Sequence, residues 1–270
     1  NIQAYLLIID CVVNDFKRMR MYHICFYSYT QSFQKITKSS NKYILKCLDV
    51  ATKLIREKKI SSFINCPVCK EILFKNKQFG VTEFLSKRAK VFGSEAMLIY
   101  NRDLSVSPLT THIPLSFVSK KINKLKIIKK VKMINKFYKK HFKKKVKFGI
   151  LGLNPHGHTT SIKNEEKDII IPAIKAIKKL KIKVEGPISP DTSFMIYKKK
   201  KIDVIIGMYH DQVLTPFKTL FNYNAINITL GLPYIRISPD HGTAENILGK
   251  NLANPKSLIE SIKFFNNIRY

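Results

Sequence analysis

Apolar residues along this chain fall into two periods. Ile44, Leu45, Leu48, Ala51, Leu54 and Ile55 recur at helical spacing between Lys42 and Lys59, behind the capping residues Ser39, Ser40 and Asn41, and predict an amphipathic helix. Ile122, Leu125, Ile128, Val131, Ile134 and Phe137 recur about every three residues within the basic stretch 119–147 and predict a second helix that packs one face on a core and solvates its lysines. Glu165 to Leu180 reads as a helix with acids in its first turn, where they favour the positive helix end, and Ser257 to Ile268 as a closing helix. Short apolar runs predict strands at 60–66, 96–100, 146–153, 202–208 and 225–230. Strands alternating with helices predict an α/β fold, an α/β/α sandwich around a largely parallel sheet. No internal repeat is visible.

Residues capable of chemistry sit at the ends of those apolar runs. Thr110-Thr111-His112, Gly152-Leu153-Asn154-Pro155-His156 and Met208-Tyr209-His210-Asp211-Gln212 each deliver a histidine, and Asn227 to Pro233 runs into Arg236. Neutral imidazole is a common metal ligand, and the carboxyl ends of strands are where ligands converge in α/β folds. One metal site assembled from His112, His156 and His210 is therefore the leading reading, against three unrelated structural histidines. Lys218, Asn227 and Arg236, nine residues apart on alternating strand and loop, suit a phosphate or carboxylate, Lys as a point charge and Arg as a bidentate fork.

Composition adjusts this picture in few places. A chain of 270 residues with 45% hydrophobic content buries a substantial core. The net charge of +31 invites a polyanion, but it comes from 42 Lys against 7 Arg, with no Trp. Readers of bases and phosphates lean on the arginine fork, and AT-rich coding bias accounts for the lysines. No specific nucleic acid and no membrane partner is expected, and a Lys-rich polyanion-binding protein is the weaker reading. Five cysteines, an odd number in a long chain, favour a reducing compartment, hence the cytoplasm. Cys66-Pro67-Val68-Cys69 has no second pair to close a zinc site, and Cys11, Cys25 and Cys47 read as small core residues. Ala4 to Val13 is apolar but its basic residues follow it, the wrong order for a signal peptide, and no stretch reaches transmembrane length; a buried strand or helix fits it better. The chain begins at Asn1 without an initiator Met, as a fragment or an excised product would.

The order of the motifs carries a resemblance. Thr-Thr-His-Ile-Pro-Leu at 110–115, Gly-Leu-Asn-Pro-His at 152–156, Asn164-Glu165-Glu166, Gly186-Pro187 with Asp191-Thr192, the patch 208–212, Asn-Ile-Thr-Leu-Gly-Leu-Pro at 227–233 and Asp240-His241-Gly242-Thr243-Ala244 resemble, from about Ser39 onward, the 4-hydroxythreonine-4-phosphate dehydrogenase (PdxA) family of pyridoxine biosynthesis. The resemblance implies an isocitrate/isopropylmalate dehydrogenase-like fold of two subdomains with a cleft, set here at 1–115 plus 235–270 and at 116–234. It implies that His112, His156 and His210 bind a divalent metal (zinc, magnesium or cobalt), that Thr82, Lys218, Asn227 and Arg236 bind substrate, and that the protein is a homodimer. It implies NAD-dependent oxidation and decarboxylation of 4-phosphooxy-L-threonine to 3-amino-2-oxopropyl phosphate on the way to pyridoxal 5'-phosphate. Catalytic candidates are Lys218, Asp211 and Asp191; cofactor candidates are Asn154 and Gly157. The chain has no Gly-x-Gly-x-x-Gly, and the family's NAD site is likewise built differently.

Three departures from the family pattern stand out. Its opening Gly-Asp-Pro-x-Gly-Ile-Gly-Pro-Glu turn has no counterpart in residues 1–35; its Gly-His-Thr-Glu reads Gly80-Val81-Thr82-Glu83, offering a methyl surface where the family has a substrate-contacting histidine; and the loop after His156 reads Gly157-His158-Thr159-Thr160-Ser161, one residue shorter. They keep two alternatives open: a paralogue acting on another phosphorylated hydroxy acid, and a catalytically impaired remnant. Asp240-His241 reads equally as ligand support or as a turn, Lys70 as an anion contact or a solvated helix start, and His158 as a replacement contact or an exposed loop residue.

Overall fold

The apolar runs become strands and the amphipathic stretches become helices, as their periods require. The computed structural model describes residues 9–11, 19–21, 38–69, 73–74, 80–93, 95–157, 164–265 and 267–268. In chain order the elements used below are β1 (Ile9–Cys11), β2 (Met19–Met21), α1 (Lys38–Arg56), β3 (Ser62–Ile64), α2 (Val81–Arg88), β4 (Ala96–Tyr100), β5 (Ser105–Pro108), α3 (Lys124–Phe142), β6 (Phe148–Leu151), α4 (Ile171–Lys179), β7 (Val184–Ile188), β8 (Val204–Gly207), α5 (His210–Phe221), β9 (Ile226–Leu230), β10 (Ile235–Pro239) and α6 (Lys256–Phe265). Two units form. Unit 1 takes residues up to Glu95 with Tyr223–Ile268, and unit 2 takes Ala96–Asn222 with Arg269–Tyr270. These breaks fall at 95/96 and 222/223, where the sequence placed them at 115/116 and 234/235.

Unit 2 carries the strand order β4-β5-β8-β6-β7, parallel throughout except for β4 against β5. Every residue of β5, β6 and β8 is buried, the condition of parallel strands covered on both faces. Helix α3 forms because Ile127, Val131, Ile134 and Tyr138 share one buried stripe, and Asn123 Oδ1 caps it by accepting the Lys126 N–H at 2.9 Å. It packs on α4 and β4, while α5 packs on β5 and β8. The predicted helix at 165–180 is a π-helical turn, Glu166–Ile170, feeding α4.

Unit 1 carries β3-β10-β9, with β10 parallel to β3 and antiparallel to β9. Leu48 and Ala51 of α1, Ile60, Phe63 of β3, and Val81 and Leu85 of α2 close its core, and α6 packs on β9 and β10. The capping candidates Ser39, Ser40 and Asn41 lie inside α1, which already runs from Lys38. Within the apolar run 4–13, Ile9–Cys11 is a strand paired antiparallel with Met19–Met21. The pairing is largely parallel, as expected, at β3–β10, β5–β8, β6–β8 and β6–β7, and antiparallel at β4–β5 and β9–β10. The connections 101–104 and 231–234 are too short for a crossover, so β4–β5 and β9–β10 must run antiparallel. Among the described residues no helix is long and apolar enough to cross a membrane.

Candidate functional site

Three neighbouring parallel strands of unit 2 release the three histidines from one edge. His112 follows β5, His156 follows β6 and His210 is the first residue of α5 directly after β8. The rings of His112 and His210 lie 6.0 Å apart between centroids. With metal–nitrogen bonds of about 2.1 Å, two imidazoles sharing an ion place their centroids on the order of 5–6 Å apart, so this pair fits a shared ion. His210 Nδ1 meets Asp211 Oδ1 at 2.6 Å, which puts the proton on Nδ1 and leaves Nε2 as the donor atom a metal requires.

His156 is placed differently. It occupies the left-handed region at φ 57°, its side chain is 80% exposed, and Nδ1 faces Asp191 Oδ2 at 3.4 Å. The Ser189 hydroxyl, at 2.5 Å, and then the charge of His156 hold the Asp191 carboxyl below the usual range. No group of three or more His, Cys, Asp or Glu among the described residues is gathered closely enough to hold a metal ion. Two of the three sequence-predicted ligands thus come together, and the third leaves the same edge with its ring turned to an acid.

Unit 1 holds a buried polar cluster. Arg236 on β10 lies opposite Thr229 on β9, and Ser238 opposite Asn227, so alternate residues of both strands share one face. The guanidinium, 4% exposed, donates from Nε to Asn65 Oδ1 at 2.5 Å and from a terminal nitrogen to Thr229 Oγ1 at 3.0 Å; Thr82 Oγ1 approaches Thr229 Oγ1 at 3.3 Å. Among the described residues no carboxylate lies within ion-pair distance of Arg236. Burial pulls its pKa down to about 10, against the raising effect of Tyr234 and Glu83, so it stays cationic at neutral pH. Asn227 Oδ1 and the Tyr234 hydroxyl are buried without a hydrogen-bond partner among the described residues, and burial pushes the Tyr234 hydroxyl up to about 12. A desolvated cation beside unmet polar atoms is a site for an anion bearing hydroxyl or amine groups.

The remaining predicted residues divide between roles. Lys218 is exposed on helix α5, where the sequence reading had set the three residues on alternating strand and loop, because Val213, Leu214 and Phe217 bury one helical stripe. Asn227 and Arg236 both lie on strands. Val81 offers no methyl surface to a ligand; it is 5% exposed and packs inward with Leu48, Phe63 and Leu85. The Asn154 side chain donates to Glu165 Oε2 at 3.1 Å and to Glu166 Oε2 at 2.8 Å, and Gly157 is buried. Asp240 N–H donates to Ser257 Oγ on α6 at 2.9 Å, tying the end of β10 to that helix, and His241 Nδ1 meets the neighbouring Gly242 carbonyl at 2.9 Å. Cys47 is buried, Cys66 and Cys69 are free thiols, and burial pushes Cys66 up to about 11. Lys70 and His158 to Ser161 lie outside the described residues, as does Cys25, and the side chain of Cys11 is not among those described. Sequence reasoning left Asn65, Thr229, Glu166 and Gln212 without a role. All but Asn65 sit inside the quoted motifs, so the signal was present and only its use was hidden.

Comparison with known proteins decides the family. Residues 6–265 match the family model of the pyridoxal phosphate biosynthetic protein PdxA. The chain belongs to the PdxA family. Within it, 4-hydroxythreonine-4-phosphate dehydrogenase of a Sulfurihydrogenibium species is 42% identical over 257 residues, 93% of this chain and 78% of that one. The crystal structure of 4-hydroxythreonine-4-phosphate dehydrogenase from Klebsiella pneumoniae superposes with a TM-score of 0.73 at 31% identity, covering 86% of this chain and 72% of that one. Isocitrate dehydrogenase from Methylococcus capsulatus, at 10% identity and a TM-score of 0.50, covering 80% of this chain and 70% of that one, shares the fold alone.

Proposed function

We propose that this PdxA-family chain oxidises 4-phosphooxy-L-threonine with NAD and releases carbon dioxide, giving 3-amino-2-oxopropyl phosphate for pyridoxal 5'-phosphate synthesis. The observation that carries the reading is the release of His112, His156 and His210 from one edge of three neighbouring parallel strands, in a chain whose relatives bear that enzyme's name. His112 and His210 would hold a divalent metal (zinc, magnesium or cobalt), with His156 as third donor once its ring leaves Asp191. When bound, the metal polarises the substrate hydroxyl and stabilises the charge that decarboxylation develops, and NAD accepts the hydride.

The chain's own groups do the rest. Lys218 and Arg236 bind the substrate's anionic groups, Arg236 as a dry and therefore strong charge-assisted donor. Asn227 Oδ1, unmet among the described residues, accepts from the substrate amine or hydroxyl, and Thr82 adds a hydroxyl contact. Asp211 keeps the proton on His210 Nδ1. We place NAD near the Asn154–Gly157 loop, the enzyme in the cytoplasm on the strength of its free thiols, and its assembly as a homodimer. A polyanion-binding role would draw on a lysine-lined surface of α3. A groove of about 540 Å³ lined by Lys132, Lys136, Lys139 and Lys140 lies at the amino end of β7, the edge opposite the histidines. Binding there should collapse by roughly 200 mM salt.

NADH absorbance on mixing the chain with 4-phosphooxy-L-threonine, NAD and a divalent metal tests the reading, with a chelated control. Metal-dependent NADH supports it. Full turnover after chelation overturns the metal assignment, and silence from a folded protein moves the reading to a paralogue, separable by a panel of phosphorylated hydroxy acids, or to a remnant.

A further inference from the structure

Backbone hydrogen bonds carry the β5–β8 ladder on past the strand ends, from Leu109 N–H to the Gly207 carbonyl and from Thr110 N–H to the Met208 carbonyl, but among the described residues none joins the loop that leaves β8 to the loop that leaves β6. One buried side chain bridges these two. Gln212, 8% exposed, accepts the Met208 N–H at Oε1 (2.6 Å) and donates from Nε2 to the Gly152 carbonyl (2.8 Å). The next peptide group along is gripped too, the Met208 carbonyl accepting from Thr110 N–H at 3.2 Å and from Thr110 Oγ1 at 2.7 Å. Met208 lies two residues before His210, Thr110 two before His112 and Gly152 four before His156. The backbone of Met208, its N–H held by Gln212 and its carbonyl by Thr110, is thus where all three histidine-bearing segments are registered.

The backbone makes room for this arrangement. A Cβ at Gly207 would stand 2.5 Å from Val213 Cγ1 and 3.0 Å from Gln212 Oε1. A Cβ at Gly152 would stand 2.4 Å from the Gly157 Cα and 3.2 Å from Glu166 Oε1, the atom that accepts Leu153 N–H at 2.8 Å and Asn154 N–H at 2.9 Å. An amide spans the gap at 212 as an ionised carboxylate or an apolar side chain cannot, because one end must accept from an N–H while the other donates to a carbonyl.

We propose that Gln212 is a positioning residue. It touches no ligand; it sets the distance between the loops of His156 and His210, and through Met208 and Thr110 that of His112, so that the imidazoles meet one ion. The inference rests on the metal reading above. Cobalt(II) titration of the metal-free protein, followed by visible absorbance, tests it in the wild type, His210→Ala, Gln212→Ala and Gln212→Glu, with a melt of each. The wild type should bind and His210→Ala should not. Both folded Gln212 variants should bind 10- to 100-fold more weakly, with an altered absorption band, the range for groups that orient ligands. Folded variants with wild-type affinity and band overturn the positioning role and leave the metal reading intact. A wild type that binds no cobalt overturns both. Hydrogen exchange in the wild type keeps the test independent of variant folding: the Met208 amide should exchange as slowly as the core of β8, and rapid exchange overturns the bridge.

Discussion

The two units hold their functional side chains under opposite conditions. In unit 2 the histidines stand on loops in or near solvent, and the polar groups behind them are paired down to the Met208 peptide. In unit 1 the charge itself is buried, and polar atoms around it go unmet. An exposed ligand needs only to be aimed, at the cost of a satisfied scaffold. A buried cation gains strength from its dryness, and the protein leaves part of the compensation to the ligand. Unit 2 should therefore lose stability when its scaffold is cut, whereas unit 1 should lose binding when its charge is removed.

The largest effect is expected at Arg236. Replacing it by Met relieves a desolvation cost of several kcal/mol while leaving Asn65 Oδ1 without its donor, a loss of about 1–3 kcal/mol, so the two nearly cancel in stability. The melting temperature should move by only a few degrees while KM for the phosphorylated substrate rises about 100-fold or more, the loss of a charge-assisted contact worth about 3 kcal/mol. A melting point lower by more than about 10 °C would make the guanidinium structural and dissolve the contrast.

Glu166 tests the other side. Burial pushes its carboxyl up, but the Asn154 and Leu153 hydrogen bonds outweigh this and hold it below the usual range. Removing it by Glu166→Ala orphans two backbone donors and should cost about 3 kcal/mol, roughly 6–12 °C. Because the folded pKa is depressed, the contribution is complete above the ordinary carboxyl pKa of about 4.3 and fades as pH falls through the folded value. Melts of both proteins should thus converge in acid; a constant gap down to about pH 2 would place the effect in packing and not in the charge.

Much of this was legible in the sequence, for a physical reason. Helix α3 and strands β6, β8 and β9 carry a strong period, and the histidines follow strand ends because those ends are marked by apolar runs giving way to polar residues. Strands β5 and β10 were missed since Ser-Val-Ser-Pro and Ile-Arg-Ile-Ser-Pro put serine or arginine where a buried strand usually shows only apolar residues. The direction of His156 was also beyond sequence, because its neighbour Asp191 lies 35 residues away and meets it only through the fold. Val81 misled by analogy. Its place in the family pattern suggested a contact, but the first turn of α2 faces the core. Restoring the family's residue by Val81→His should accordingly bury an imidazole among Leu48, Phe63 and Leu85 and cost about 1–3 kcal/mol with no gain in turnover. A faster enzyme of unchanged melting temperature would show the residue reaching the ligand after all.

The smallest effect is a rate measured on the intact protein, and it bears on the premise of the whole contrast. Cys66 follows Asn65, whose side chain both receives the Arg236 Nε–H and donates to the Cys66 carbonyl at 3.0 Å, so thiol and guanidinium sample one environment. Burial acts on them in opposite senses, pushing the thiol up to about 11 and the guanidinium down to about 10, because in each case the charged form is the one disfavoured. At pH 8 only about a thousandth of Cys66 would be thiolate, so a disulfide reagent should modify it far more slowly than the partly exposed Cys69, with peptide mass spectrometry separating the two. Equal rates would mean that water reaches Asn65. Arg236 would then not be a dry cation, and its large expected effect on binding would shrink towards that of an ordinary surface charge.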